Sequence, residues 1–145
     1  MAKSGRRLLV IILIAFVLPP LSGCGGGGSG ETSMGGGSIP TDPLPPKILS
    51  WQPPTTYSDN SPLDPAKDLA SIEIYIKGNG AFTENDSPMA FVSAFDKGTG
   101  QITTSFNLAN LGAFLSRGVI YQVALRSVAI NGSKSGFSAS ATFSF

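Results

Sequence analysis

The most constraining feature of this chain is an apolar period of two. In Ala70-Ser-Ile-Glu-Ile-Tyr-Ile-Lys77, residues Ile72, Ile74 and Ile76 fall on one side of an extended backbone, and in Val119-Ile-Tyr-Gln-Val-Ala-Leu-Arg126 so do Tyr121, Val123 and Leu125. Successive side chains of a strand point to opposite faces, so these segments bury their apolar residues only as members of a sheet. Two further runs share this character: Lys47-Ile-Leu-Ser-Trp51, which ends at Pro53-Pro54, and Phe137-Ser-Ala-Ser-Ala-Thr-Phe-Ser-Phe145, which alternates apolar with hydroxyl residues. Each predicts one dry face and one wet face, as in antiparallel sheets. Met89–Phe95 and Gln101–Leu108 fit as weaker strands on either side of Asp96-Lys-Gly-Thr-Gly100. Asn131-Gly132 supplies the positive φ of a hairpin turn joining the last two strong runs. No segment keeps a helical period, and Leu108–Leu115 has room for one short turn of helix. The fold class is all-β.

Composition removes most familiar chemistries. The chain of 145 residues has no His and one Cys, so it holds no Ser-His-Asp triad, no Cys-His dyad, no imidazole metal site and no internal disulfide. Ten Lys and Arg face nine Asp and Glu, but Lys3, Arg6 and Arg7 precede the first apolar run, so acids outnumber bases in the remainder. That balance argues against a nucleic-acid face, which needs clustered cations to displace counterions.

The amino terminus has a different logic. A short positive stretch, Met1–Arg7, leads into the apolar run Leu8–Leu18, which Pro19-Pro20 ends. As a helix the run would be only about 16 Å long, roughly half the hydrocarbon thickness. Positive, apolar and then small residues make an export signal that is removed from the mature protein. Leu21-Ser22-Gly23-Cys24 resembles the lipobox of bacterial lipoproteins, whose implied outcome is acylation of the Cys24 thiol and cleavage after Gly23. Two or three acyl chains, at about 0.8 kcal/mol per buried methylene, give stable membrane attachment. Gly25–Ser38 follows with eight glycines in 14 residues and little to bury, which predicts a tether. Prolines at 40, 43, 45 and 46 extend it as a stiffer arm. The organisation read from the sequence is therefore a signal peptide over 1–23, acylated Cys24 and tether over 24–46, and a globular domain over 47–145.

Within the globular part, Leu49-Ser-Trp51-Gln-Pro-Pro54 resembles the second-strand motif of fibronectin type III domains, in which the Trp fills the core. Leu115-Ser-Arg-Gly118-Val-Ile-Tyr121 resembles that family's signature before the sixth strand, with Arg117 in the place of its proline. The resemblance implies an immunoglobulin-like antiparallel sandwich with Trp51, Leu115, Gly118 and Tyr121 as structural core residues. Tyr121 would be the tyrosine-corner residue, its ring buried and its hydroxyl bonded to backbone upstream. The first strand has only Gly37-Ser-Ile-Pro-Thr41 as a candidate, so it is expected to be truncated or supplied late.

No catalytic constellation emerges. Asp59, Asp64 and Asp68 could offer oxygens for weak Ca²⁺ binding, but their spacing fits no EF-hand, and a solvated loop explains them better. Glu84 and Asp86 are neighbours in a turn and cannot flank a scissile bond. Ser135 beside Lys134 reads as turn chemistry. Trp51, Tyr121 and Phe137 fall on core faces, which leaves Tyr57, Tyr75 and Phe82 as exposed aromatics for an interaction patch. The expected function is that of a non-catalytic envelope lipoprotein without cofactor or metal, anchored to lipid through Cys24, in the outer membrane where the cell has one. Its domain would bind or scaffold an envelope protein or a polysaccharide, and not nucleic acid. A carbohydrate-binding accessory module is the second reading, and a small outer-membrane β-barrel, suggested by the strand ending at Phe145, the third.

Overall fold

A computed structural model describes residues 43–145 and a two-residue strand, Ala15–Phe16. Cys24 and the glycine tract lie outside the described residues. In chain order the elements are β1 (Ala15–Phe16), β2 (Ile48–Ser50), one turn of α-helix α1 (Pro65–Asp68), β3 (Leu69–Lys77), β4 (Ala90–Ser93), β5 (Phe95–Asp96), β6 (Gln101–Ile102), β7 (Ser105–Asn107), a 3₁₀ turn (Leu108–Leu111), β8 (Ile120–Ala129) and β9 (Ala141–Ser144).

The strands form a three-stranded sheet in the order β1-β2-β7, a four-stranded sheet in the order β4-β3-β8-β9, and a two-stranded β5-β6 ribbon. All pairs are antiparallel. The sheets are open: β4 and β9 end the larger one, so the described strands do not close into a barrel. The long β3–β8 pair sets the frame, with Ile72 opposite Ser127, Ile74 opposite Leu125 and Ile76 opposite Val123.

One hydrophobic core draws on both larger sheets. Leu49 and Trp51 come from the β2 segment and Leu108 and Leu111 from the 3₁₀ turn. They meet Ile72, Ile74, Ile76, Val123, Leu125 and Phe143 from the four-stranded sheet. At 25 cal/mol per Å², each such fully buried aliphatic side chain contributes about 1.5–3 kcal/mol. The period-two reading of β3 and β8 therefore locates the inner face, since Ile72, Ile74, Ile76, Val123 and Leu125 all lie in this core.

Local chemistry accounts for the breaks. Asp64 caps α1, its Oδ1 accepting from Ala66 N at 3.0 Å, and Pro65 occupies the first turn, where its missing N–H costs nothing. Asn107 caps the 3₁₀ turn by accepting from Ala109 N, and its Oδ1 also accepts from Lys47 N at 3.0 Å, tying β2 to the end of β7. Gly132, at φ 81°, closes the turn after β8 in the conformation the Asn-Gly pair offers. The returning strand is shorter than its alternation predicts, because only Ala141–Ser144 pairs regularly with β8. Upstream, Ser135 Oγ accepts from Ser127 N and Ser138 Oγ from Leu125 N, both at 2.9 Å, so hydroxyls stand where carbonyls of a regular ladder would.

Two residues ahead of Lys47 also touch the domain. Leu44 packs against the core, and Arg117 Nη2 donates to the carbonyl of Pro43 at 3.0 Å. The backbone of Ala15–Phe16 pairs with β2, Ala15 opposite Ser50 and Phe16 opposite Leu49, while the first-strand candidate at 37–41 lies outside the described residues.

Candidate functional site

The densest cluster of polar and aromatic groups lies on the face of the four-stranded sheet that turns away from the core. There the alternation of β3 places Glu73 and Tyr75, and that of β8 places Arg126 directly opposite Glu73. This face is not wet. Glu73 is 3% exposed, Tyr75 2% and Arg126 6%, because two connections cover them: Gly78–Pro88 between β3 and β4, and Lys134–Ser140 before β9.

The aromatic part is a cluster of three rings. Tyr75 meets Phe137 edge-on at 4.9 Å and Phe82 edge-on at 6.4 Å, and Phe82 stacks on Phe137 at 5.7 Å. The Arg126 guanidinium lies 4.7 Å from the Phe137 ring centre and the Lys77 ammonium 4.8 Å from that of Phe82, both within cation–π range. Two expectations change here. Tyr75 and Phe82 are not exposed patch residues but the inner part of this cluster, with Phe82 half-buried, and Tyr57 is half-buried against a small second core of Leu63, Leu69 and Ala94. Phe137 does not sit on the main core face, because the serine-mediated departure of the returning strand carries it to the outer face. Among the described residues, the large aromatic side chains left to solvent are Phe91, at 66%, and Phe114, at 69%.

The polar part is closed on itself. Glu73 accepts from the Tyr75 hydroxyl and from Lys134 Nζ, each at 2.6 Å. Arg126 donates through Nε to the Ser135 carbonyl at 2.7 Å and through Nη1 to Glu84 at 2.6 Å. Lys77 bridges to Asp86 at 2.8 Å and to the carbonyl of Ala81, pinning the covering loop. Burial, with the neighbouring Glu73 carboxylate second, pushes the Tyr75 hydroxyl up to about 12. The hydrogen bond from Lys77, helped by Thr83 N, holds the Asp86 carboxyl below its ordinary range. Both Glu73 oxygens thus accept from donors, so the buried acid is satisfied within the fold.

The other sequence candidates are distributed. Asp59 accepts from Ser61 N, Asp64 caps α1 and pairs with Lys67, and Asp68 accepts from Asp64 N. Among the described residues no group of three or more His, Cys, Asp or Glu side chains comes together. Lys134 points to Glu73 and not to Ser135, whose hydroxyl donates to the Gly136 carbonyl at 2.7 Å. Beside β4 and β5 an open hollow of about 480 Å³ is lined by Val92, Ser93, Phe95, Asp96, Lys97 and Thr103. Asp96 is occupied there by Gly98 N and Thr99 Oγ1, bonds that lower its pKa.

Trp51 and Leu115 lie buried in the core, and Gly118 adopts φ 75°, which lets the chain turn into β8. The Tyr121 hydroxyl accepts from Ser116 N at 3.0 Å, and its ring, half-buried, stacks on Phe143 at 5.5 Å. The outer cluster escapes sequence reasoning; its one available signal is the acid Glu73 set between Ile72 and Ile74 in the middle of β3. Among the described residues no helix is long and apolar enough to cross a membrane. The chain matches no family model, no curated protein and no solved structure.

Proposed function

We propose that this chain is an exported lipoprotein of the bacterial envelope. It is acylated at Cys24 and carries one fibronectin type III-like domain as a non-catalytic binding or scaffolding module. The observation that carries this reading is the sequence Leu21-Ser-Gly-Cys24, placed between an apolar run too short to span a bilayer and a glycine-rich arm. The anchor joins membrane lipid, and the domain beyond the arm meets an envelope protein.

Strand order supports the family likeness. A three-stranded sheet and a four-stranded sheet share one core that holds Trp51, and the Tyr121 hydroxyl reaches back to Ser116 across the turn at Gly118. A non-catalytic role is favoured by the outer cluster, whose acid and base groups are spent on one another and on backbone. Of the aromatics named for an interaction patch, Tyr75 is buried against Phe82 and Phe137, which leaves the polysaccharide reading only the half-buried Tyr57 and Phe82.

The test is metabolic labelling with palmitate and mass spectrometry of the mature amino terminus. Wild type should begin at a modified Cys24, and Cys24→Ala should retain its leader and take up no label. An unmodified wild-type terminus overturns the anchor.

A further inference from the structure

We propose that Asn79 is a site of spontaneous deamidation, converted with water to aspartate and isoaspartate, and that the fold shields Asn131, which stands in the same dipeptide, from the same reaction.

Asn79-Gly80 and Asn131-Gly132 are the two places in the chain where an asparagine precedes a glycine. The chemistry needs no catalyst beyond the chain itself. The glycine amide nitrogen loses its proton and bonds to the asparagine Cγ, the Cγ–Nδ2 bond breaks, and the side-chain nitrogen leaves as ammonia carrying that proton. Water then opens the cyclic imide at either carbonyl, which gives aspartate or isoaspartate. Glycine favours ring closure because it has no Cβ to obstruct the approach.

Sterics do not separate the two sites. Both are exposed, both glycines sit at positive φ, 83° and 81°, and nothing beyond the chain neighbours lies within 4 Å of where a Cβ would stand on either. Hydrogen bonding does separate them. Gly132 N donates to the Ala129 carbonyl at 2.9 Å, and Asn131 Oδ1 accepts from Ser133 N at 3.0 Å, so each reacting group has a partner and the turn after β8 must open before they meet. Among the described residues, neither the Asn79 side chain nor Gly80 N has a hydrogen-bond partner, and both residues lie outside the strands and helices.

The product bears on the outer cluster. Isoaspartate carries the main chain through Cβ and so inserts an extra carbon between Lys77 and Ala81. Lys77 Nζ donates to the Ala81 carbonyl at 2.6 Å and to Asp86 at 2.8 Å, and Asp86 in turn accepts from Thr83 N at 2.6 Å. Aged molecules therefore hold the Gly78–Pro88 cover less firmly over Glu73 and Arg126.

The test keeps the full-length chain folded in detergent at mildly alkaline pH. Peptides carrying residues 79 and 131 are read at intervals by mass spectrometry, with isoaspartate scored by an isoaspartyl methyltransferase. Asn79 should convert at least about tenfold faster than Asn131 in the folded chain, and the two rates should converge in denaturant. The Thr83 amide should exchange faster in the isoaspartyl fraction than in fresh chain, and Asn79→Gln, aged alike, should keep its starting rate. No conversion at Asn79 overturns the site. Equal rates in the folded chain, or a gap that persists in denaturant, overturn the shielding. Unchanged exchange at Thr83, or the same rise in aged Asn79→Gln, overturns the link to the cover.

Discussion

The two faces of the four-stranded sheet are both dry, yet they are closed by different means. On the inner face, Ile72, Ile74, Ile76, Val123 and Leu125 pack against the β2–β7 side through shape and apolar area alone. On the outer face, Glu73, Tyr75 and Arg126 are as deeply buried, but only because Gly78–Pro88 and Lys134–Ser140 fold over them and satisfy their charges. The inner face is non-directional and tolerates conservative replacement by volume, whereas the outer face depends on each donor meeting its acceptor.

The largest effect should come from opening the inner face. Leu125→Ala, at a fully buried site, should lower unfolding free energy by about 2–5 kcal/mol in denaturant titration. The outer face should respond to a single polar loss and recover when the polarity is removed as a set. Glu73→Ala, which strands the Tyr75 hydroxyl and the Lys134 ammonium, should cost about 1–3 kcal/mol. Glu73→Leu combined with Tyr75→Phe and Lys134→Met should regain most of that. If the triple variant is no better than Glu73→Ala, the difference drawn between the two faces is wrong. Tyr121→Phe tests a third region, the turn at Gly118, and should cost about 1 kcal/mol through the amide of Ser116.

Titration separates the faces by the smallest and most selective change. The Tyr75 hydroxyl is raised in the fold to about 12 from an ordinary value of 10.0, so its contribution is complete below pH 10 and lost as pH climbs towards 12. Wild type should lose stability across that alkaline window, and Tyr75→Phe should lose less. Asp86 has the opposite sign. Its lowered pKa contributes above the ordinary carboxylate range and is lost as pH falls through the folded value, so acid should loosen the Gly78–Pro88 cover first. Exchange of the Thr83 and Asp86 amides below pH 4 measures this, and Asp86→Asn should remove the acid dependence.

The inner face was legible because an isoleucine at every second position has one economical fate, and β3 and β8 follow it. The cap at Asp64-Pro65 carried a helix-start signal in the sequence that the strand-rich context obscured. The outer cluster was not legible, since alternation says which residues share a face but not whether a loop will cover it. Tyr75 looked exposed because its strand neighbours Glu73 and Lys77 are charged; their partners, Lys134 and Asp86, lie 61 and 9 residues away. Phe137 misled for a related reason. Its alternation with serines is regular, but Ser138 in that run and Ser135 ahead of it accept from the β8 backbone through their hydroxyls, and only Ala141–Ser144 pairs regularly.

The bond between Arg117 and the carbonyl of Pro43 has a mechanical consequence. A pull on the residues ahead of Pro43 arrives at the corner before β8 and not along the axis of the long strands. Under such tension the contacts carry load in series: Arg117 to Pro43 first, Lys47 to Asn107 next, and the short β2–β7 ladder after that. Contacts loaded one after another give way at low force, so the corner and β2 should peel while the β3–β8 pair still holds its register.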